Sequence, residues 1–320
     1  MGKKVKTILS ITLPLLLGVF LIIYSYNQFT PEQRDEMFSH FANANYNYVA
    51  ISLFFALTSY MSRAYRWRYT LSHLGYQSSF STNFFAISIG YFLNLTIPRS
   101  GEVSRALVLK KYANVPFDKG FGTIISERVV DLILLVTCIS TTLLLQFDVL
   151  KGYVAQKIPF ERLLLYGIVA VTLLISTILF YKYSRLLWVT KLKVKIAGLI
   201  EGSLSVFKMP NKWPFILHSI YIWVAYVSMF YITIYALPET AHISFGAVAT
   251  SFIMGSLAIT FTNGGFGVYP VLIGAILHLY NVPLEAGTAF GWIVWTSQIL
   301  FVIFFGGVSF LLLPLLHKKK

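Results

Sequence analysis

Six stretches of this 320-residue chain stay apolar for the length of a bilayer crossing, and two more begin that way and then break. The six lie at roughly 7–26, 47–68, 120–147, 162–181, 213–236 and 286–313. A spanning helix needs about 20 consecutive, mostly apolar residues. Hydrocarbon offers no partner to a backbone amide or carbonyl, so a run of this kind must satisfy itself as a helix. Composition leaves little else: 57% of residues are hydrophobic and 12% charged, against about 25% charged in soluble domains. No polar stretch could form a separate soluble domain, so residues 1–320 read as a single integral membrane domain.

The broken stretches set the architecture. Residues 80–97 run into "IPRSGE", and residues 245–262 run into "TNGGFG" before a second apolar piece, 266–280. Proline cannot continue a helix, and a glycine cluster breaks one. If 80–97 pairs with 101–112 and 245–262 with 266–280, each pair enters and leaves on one side of the membrane. Twenty-one of the 26 lysines and arginines then fall on the cytoplasmic side, Arg63, Arg66 and Arg68 among them. A full crossing by 80–97 would push the basic 182–212 segment outside, against the positive-inside rule. The expectation is an all-α polytopic membrane protein with about six spanning helices, two re-entrant helical hairpins and both termini cytoplasmic. Each half, 1–147 and 162–320, reads helix, helix, hairpin, helix. Three crossings per half make this an inverted-topology repeat, an arrangement common in transporters. Similarity between the halves is not evident in the sequence itself.

Residues 185–208 alternate basic and apolar positions at helical spacing, as an amphipathic helix on the inner leaflet does. Residues 29–46 read as a short outer amphipathic segment. A net charge of +14 would suggest nucleic acid in a soluble protein. Here the basic residues lie between apolar runs, where they orient the chain and meet anionic headgroups, and nucleic-acid binding is excluded. The single cysteine, Cys138, sits in an apolar run and reads as packing. "MGKKVK" opens an apolar stretch too long for a signal peptide, hence an uncleaved first helix.

The residues with chemistry cluster at the breaks. Ser100 is placed to cap a helix starting at Gly101, with Glu102 in its first turn. The free amides of such a helix start suit an anion, and Arg99 and Arg105 would add charge. Asn94 precedes the break. The alternative is that Glu102 only complements the helix dipole while the arginines reach for headgroups. In "TIISERVVDLILL", Glu127 and Asp131 are four apart on one helical face, and Arg128 is three from Asp131. Ionisable residues inside a spanning helix are costly unless they meet a partner or water. Pairing of Arg99 or Arg105 with Glu127 or Asp131 would satisfy them, as a structural network or as a lipid-headgroup or proton site. At the second tip Gly264, Gly265 and Gly267 permit positive φ and close approach to a ligand, and Asn263 can cap the following half-helix. His218 and His278 read as packed, hydrogen-bonded histidines. No metal-ligand spacing, cofactor loop or nucleophile constellation is present, so neither a metal, a cofactor nor catalysis is expected.

"RAYRWR" (63–68), "GYFLNLTIPRSGEVSRALVL" (90–109), "GTIISERVVDLILL" (122–135) and "GGFGVYP" (264–270) together resemble the flippase-like, lysylphosphatidylglycerol-synthase transmembrane family, over essentially the whole chain. The resemblance implies a bacterial plasma-membrane protein that moves phospholipid or polyprenyl-linked lipid between leaflets. Asn94, Pro98, Arg99, Gly101, Glu102, Arg105, Glu127, Arg128 and Asp131 are its family-type positions here. Larger members append a cytosolic aminoacyl-transferase domain that this sequence lacks, and Pro270 stands where members often carry an acid. The expected partner is a lipid with an anionic headgroup; a second copy of the chain is the other candidate. The expected function is a lipid flippase-like transporter, with a non-transporting subunit of lipid or glycan synthesis as the alternative.

Overall fold

The computed structural model describes residue 16 and residues 18–97, 100–147, 160–187, 189–190, 193, 208–262 and 264–317. Among them every regular element is helical, as expected of an all-α polytopic membrane protein. The elements are α1 (helical over 18–28), α2 (Pro31–Asn43), α3 (Tyr46–His73), α4 (Phe80–Thr96), α5 (Ser100–Tyr112) and α6 (Phe117–Leu145). They continue with α7 (Phe160–Tyr183), α8 (Lys212–Thr233, extended by a 3-10 turn to Ala236), α9 (Phe245–Phe261), α10 (Val268–His278) and α11 (Leu284–Leu316). Among the described residues α6, α8 with its 3-10 turn and α11 are long and apolar enough to cross a membrane. Most of the expected 185–208 amphipathic helix lies outside the described residues.

The chain divides into two compact units: residues 1–124 with 209–320, and residues 125–208. The second begins within α6 and contains α7, whose described side chains from Leu165 to Phe180 are exposed. The first holds both hairpins.

Local chemistry explains where the helices start and stop. The Thr30 hydroxyl accepts from the Gln33 amide at 3.3 Å while the Gln33 side chain accepts from the Thr30 amide at 3.0 Å, a capping box with Pro31 in the first turn. α3 ends at Gly75, whose φ of 81° lets the Tyr76 amide reach back to the Leu71 carbonyl at 3.0 Å.

The two hairpins share a plan that the sequence alone does not reveal. α4 and α9 are both 17 residues long, and each follows a serine whose hydroxyl caps the amide three residues on (Ser79 to Thr82, Ser244 to Ala247). Each opens Ser-Phe, and each carries a glycine ten residues after that phenylalanine, Gly90 and Gly255. At both glycines the return arm crosses. A Cβ on Gly90 would come within 2.8 Å of Arg105, and one on Gly255 within 2.6 Å of Tyr269. Small residues let helix backbones approach in a medium that supplies no hydrophobic drive between helices. The similarity is invisible in a straight comparison because the other positions of each arm match different neighbours.

α3 packs along α8, and α11 packs against α10 on one side and α4 on the other. One buried cluster gathers under each hairpin. Trp67, Leu71, Ile87, Leu109 and Ile124 fill the first; Phe230, Leu237, Ile273, Leu277 and Phe290 fill the second.

Candidate functional site

The first hairpin turns between α4 and α5, and the polar groups of Asn94, Ser100 and Gly101 close that turn. The Ser100 hydroxyl donates to the carbonyls of Leu93 (3.0 Å) and Ile97 (2.7 Å). The Gly101 amide donates to Asn94 Oδ1 at 2.7 Å. Ser100 is therefore the first residue of α5 and not its cap. The cap comes from Asn94, two residues before the end of the preceding helix. The reason is the orphan carbonyls at the α4 C-terminus, which a buried turn must satisfy. Gly101 is buried against the Gly90 carbonyl. Glu102 is half-buried. Pro98 and Arg99 lie outside the described residues.

Arg105 is 3% exposed, and its guanidinium lies 4.1 Å over the Trp67 ring. The indole in turn donates to Thr123 Oγ1 at 2.9 Å, and that hydroxyl donates to the Gly120 carbonyl. A desolvated cation over an indole face is worth about 2 kcal/mol. Two further arginines sit in the same unit. Arg66, fully buried, donates to Ser219 Oγ at 3.0 Å and lies over Phe215; Arg63, 3% exposed, donates to the Tyr226 hydroxyl at 3.0 Å. Tyr226 stands 3.5 Å from the Tyr91 hydroxyl of α4, and Tyr91 stacks on Tyr60. Charge counting places Arg63 and Arg66 on the cytoplasmic side. Both are buried within α3, which runs on to His73. Their i, i+3 spacing with Trp67 between two basic positions was the available signal.

In α6, Glu127 is fully buried and Asp131 8% exposed, with Arg128 half-buried between them in sequence. Thr123, Glu127 and Asp131 recur at four-residue intervals on one helical face.

The second tip carries the positive φ values that three glycines permit: 67° at Gly264, 79° at Gly265 and 71° at Gly267. Thr262 Oγ1 accepts from the Gly265 amide at 3.0 Å, and Trp295 Nε1 of α11 donates to the Gly264 carbonyl at 2.8 Å. Gly267 admits no side chain, since a Cβ there would meet the Gly18 backbone of α1. Asn263 lies outside the described residues. The two tips are neighbours: a Cβ on Gly264 would lie 4.0 Å from Leu95 Cδ2, near the end of α4.

α11 fixes the depth of that meeting. It has 33 residues, hence a length of about 50 Å. Trp295, which holds the second tip, and Gly306, which packs on Phe92 of α4, are its twelfth and twenty-third residues. The second tip therefore lies against α11 at the start of its middle third, and α4 crosses α11 just past the end of that third. His218 is hydrogen-bonded to Ser62 and stacked on Tyr65, and His278 is bonded to the Val282 carbonyl, both as packed histidines. Among the described residues no group of His, Cys, Asp and Glu could hold a metal ion.

The pattern of the lysylphosphatidylglycerol synthase TM region matches residues 10–317. The UPF0104 membrane protein MJ1595 of Methanocaldococcus jannaschii is 21% identical over 285 residues, 80% of this chain and 81% of that one. Glycosyltransferase AglD of Haloferax volcanii is 34% identical over 100 residues, 31% of this chain and 16% of the larger protein. No solved structure matches. With the match running nearly end to end, the chain belongs to the lysylphosphatidylglycerol synthase transmembrane-region family.

Proposed function

We propose that this protein moves a lipid with an anionic headgroup, a phospholipid or a polyprenyl-phosphate-linked lipid, between the leaflets of the plasma membrane. The observation that carries the reading is the meeting of two broken-helix tips beside the middle of a spanning helix. Irregular backbone at that depth is tolerated only where protein or a wet cavity surrounds it. Substrate sites of inverted-repeat transporters occupy such a position. Arg99 joins the two arms of the first hairpin in sequence and is the ligand assigned to the headgroup.

Leaflet exchange of fluorescent phosphatidylglycerol in proteoliposomes tests the reading. The chain alone accelerates exchange. Arg99→Lys, which keeps the charge but loses the bidentate fork, slows it, and Arg99→Ala slows it further. Exchange by Arg99→Ala at the unmodified rate would reduce the arginine to an interfacial anchor. A second reading, a non-transporting subunit of lipid or glycan synthesis, is favoured by the local likeness to a protein named as a glycosyltransferase. No exchange by the folded chain alone would favour that reading instead.

A further inference from the structure

A cavity of about 730 Å³ opens in the first unit, away from the buried arginines. Its walls come from α1, α2, the start of α3, Val271 of α10 and the first half of α11. Phe29, Met37, Val49 and Ile293 form buried parts of the wall, while Phe38, Tyr46 and Leu300, each more than half exposed, belong to its rim.

We infer that this cavity holds one hydrocarbon chain of a membrane lipid drawn from the surrounding bilayer. The inference rests on the lipid-handling reading and adds the place where the tail sits. Three observations carry it. The first is polarity. A water in a cavity needs two to four polar partners, and this wall is nearly all carbon, with the Ser297 hydroxyl already donated to the Val294 carbonyl. The second is length. Along α11 the lining runs from Thr288 to Leu300, about 18 Å at 1.5 Å per residue. One leaflet of a bilayer with a core of about 30 Å is about 15 Å deep. The third is position. The Thr288 end lies near the start of α11, which packs on α2, whose Glu32, Asp35 and Glu36 are exposed; the Leu300 end lies at the middle of α11. A chain lying there has its headgroup end beneath α2 and its methyl end at mid-depth. Bilayer hydrocarbon surrounds the rim, and a void of this size would forfeit the dispersion contacts that a chain restores.

The cavity also shares a wall with the second tip. Trp292 lines it and meets Trp295 edge to face at 5.7 Å, and Trp295 holds the Gly264 carbonyl.

The test reconstitutes the full chain in phosphatidylcholine–phosphatidylglycerol vesicles containing a phosphatidylglycerol with a diazirine in its acyl chain. Photolysis followed by peptide mass spectrometry maps the adducts. Adducts are expected on Ile22, Met37 and Trp292, and excess unlabelled phosphatidylglycerol should reduce them. Thr296→Trp, at an exposed lining position, should reduce them several-fold, while adducts at Leu311 on the outer face of α11 stay constant. Leu300→Trp at the rim is the second blocking variant should the first fail to fold. Adducts at Leu311 without adducts in the cavity, or cavity adducts that neither competitor nor blocking variant changes, would overturn the inference. Leaflet exchange is read on the same vesicles. Cavity labelling without exchange keeps the tail site and removes the transport reading; exchange without cavity labelling does the reverse.

Discussion

Gly101→Ala should open the first hairpin, and the structure fixes how much that costs. A Cβ at this position would lie 2.6 Å from Asn94 Nδ2 and 2.8 Å from its Cγ, and would also press on the Gly90 carbonyl. Ordinary contact begins near 3.4 Å, so the arms must part by roughly 1 Å. One obstacle is backbone and the other is the side chain that caps α5, so neither can swing aside freely. Overpacking of this kind costs about 1–3 kcal/mol. Stretching the 2.7 Å bond from the Gly101 amide to Asn94 past its useful range removes about 1 kcal/mol more. Against this, alanine gains up to about 1 kcal/mol over glycine in a helix interior, and less near a helix start. The net is a loss of about 2 kcal/mol. Gly122→Ala is the matched control: in α6 nothing lies within 4 Å of its Cβ, so only the propensity gain remains, and the variant should be as stable as the unmodified protein or slightly more so. Thermal unfolding of both variants in one detergent, followed by intrinsic tryptophan fluorescence, makes the comparison. Equal melting of Gly101→Ala and Gly122→Ala would refute the tight-crossing argument.

Trp67→Phe retains a ring beneath Arg105 but loses the bond to Thr123, which should cost about 1 kcal/mol in the same assay. If the bond is the cause, the loss in Trp67→Phe with Thr123→Val falls short of the sum of the two single losses; full additivity would count against it. For topology, cysteines placed at Tyr112 and at the exposed His242 after replacement of Cys138 should be labelled by an impermeant maleimide from opposite faces of the membrane. Labelling from one face would remove the inverted arrangement. Outside the spanning segments, the backbone amide at the α2 start and the Thr30 hydroxyl hold the Glu32 carboxyl below its usual range. A depressed folded-state pKa stabilises above the unfolded value and loses that effect as pH falls through the folded one. Glu32→Gln should therefore flatten the acid limb of the unfolding midpoint against pH, by a small amount because the group is solvated.

The hairpins were legible because Pro98 and the glycines after Asn263 break apolar runs that have no other reason to stop. The polar residues at the first break were legible as types but not in their roles. Ser100 reads forward as a cap in the sequence, yet it faces backward, because the carbonyls it satisfies belong to residues three and seven positions earlier. The burial of Arg63 and Arg66 was not legible for another reason. Charge counting gives a basic residue a side of the membrane but no partner, and the partners, Tyr226 and Ser219, lie on another helix. Those contacts span more than 150 residues of sequence, and no local pattern reports them. Likewise the Ser-Phe opening and the crossing glycine shared by α4 and α9 are three positions scattered over a dozen, too sparse to notice before both arms are seen to bend back at the same place.

One helix serves as the bearing for both hairpins. Gly291 of α11 accepts Pro270 of the second hairpin, where a Cβ would lie 2.7 Å from the proline Cα, and Gly306 accepts Phe92 of the first. Fifteen residues separate the two seats, about 22 Å along the axis, and at 100° per residue they differ by only about 60° around it. Neither seat has a side chain to act as a ratchet tooth. Each glycine instead lets a hairpin lie close against the α11 backbone. If α11 itself turns, the two seats turn with it, by the same angle and in the same sense.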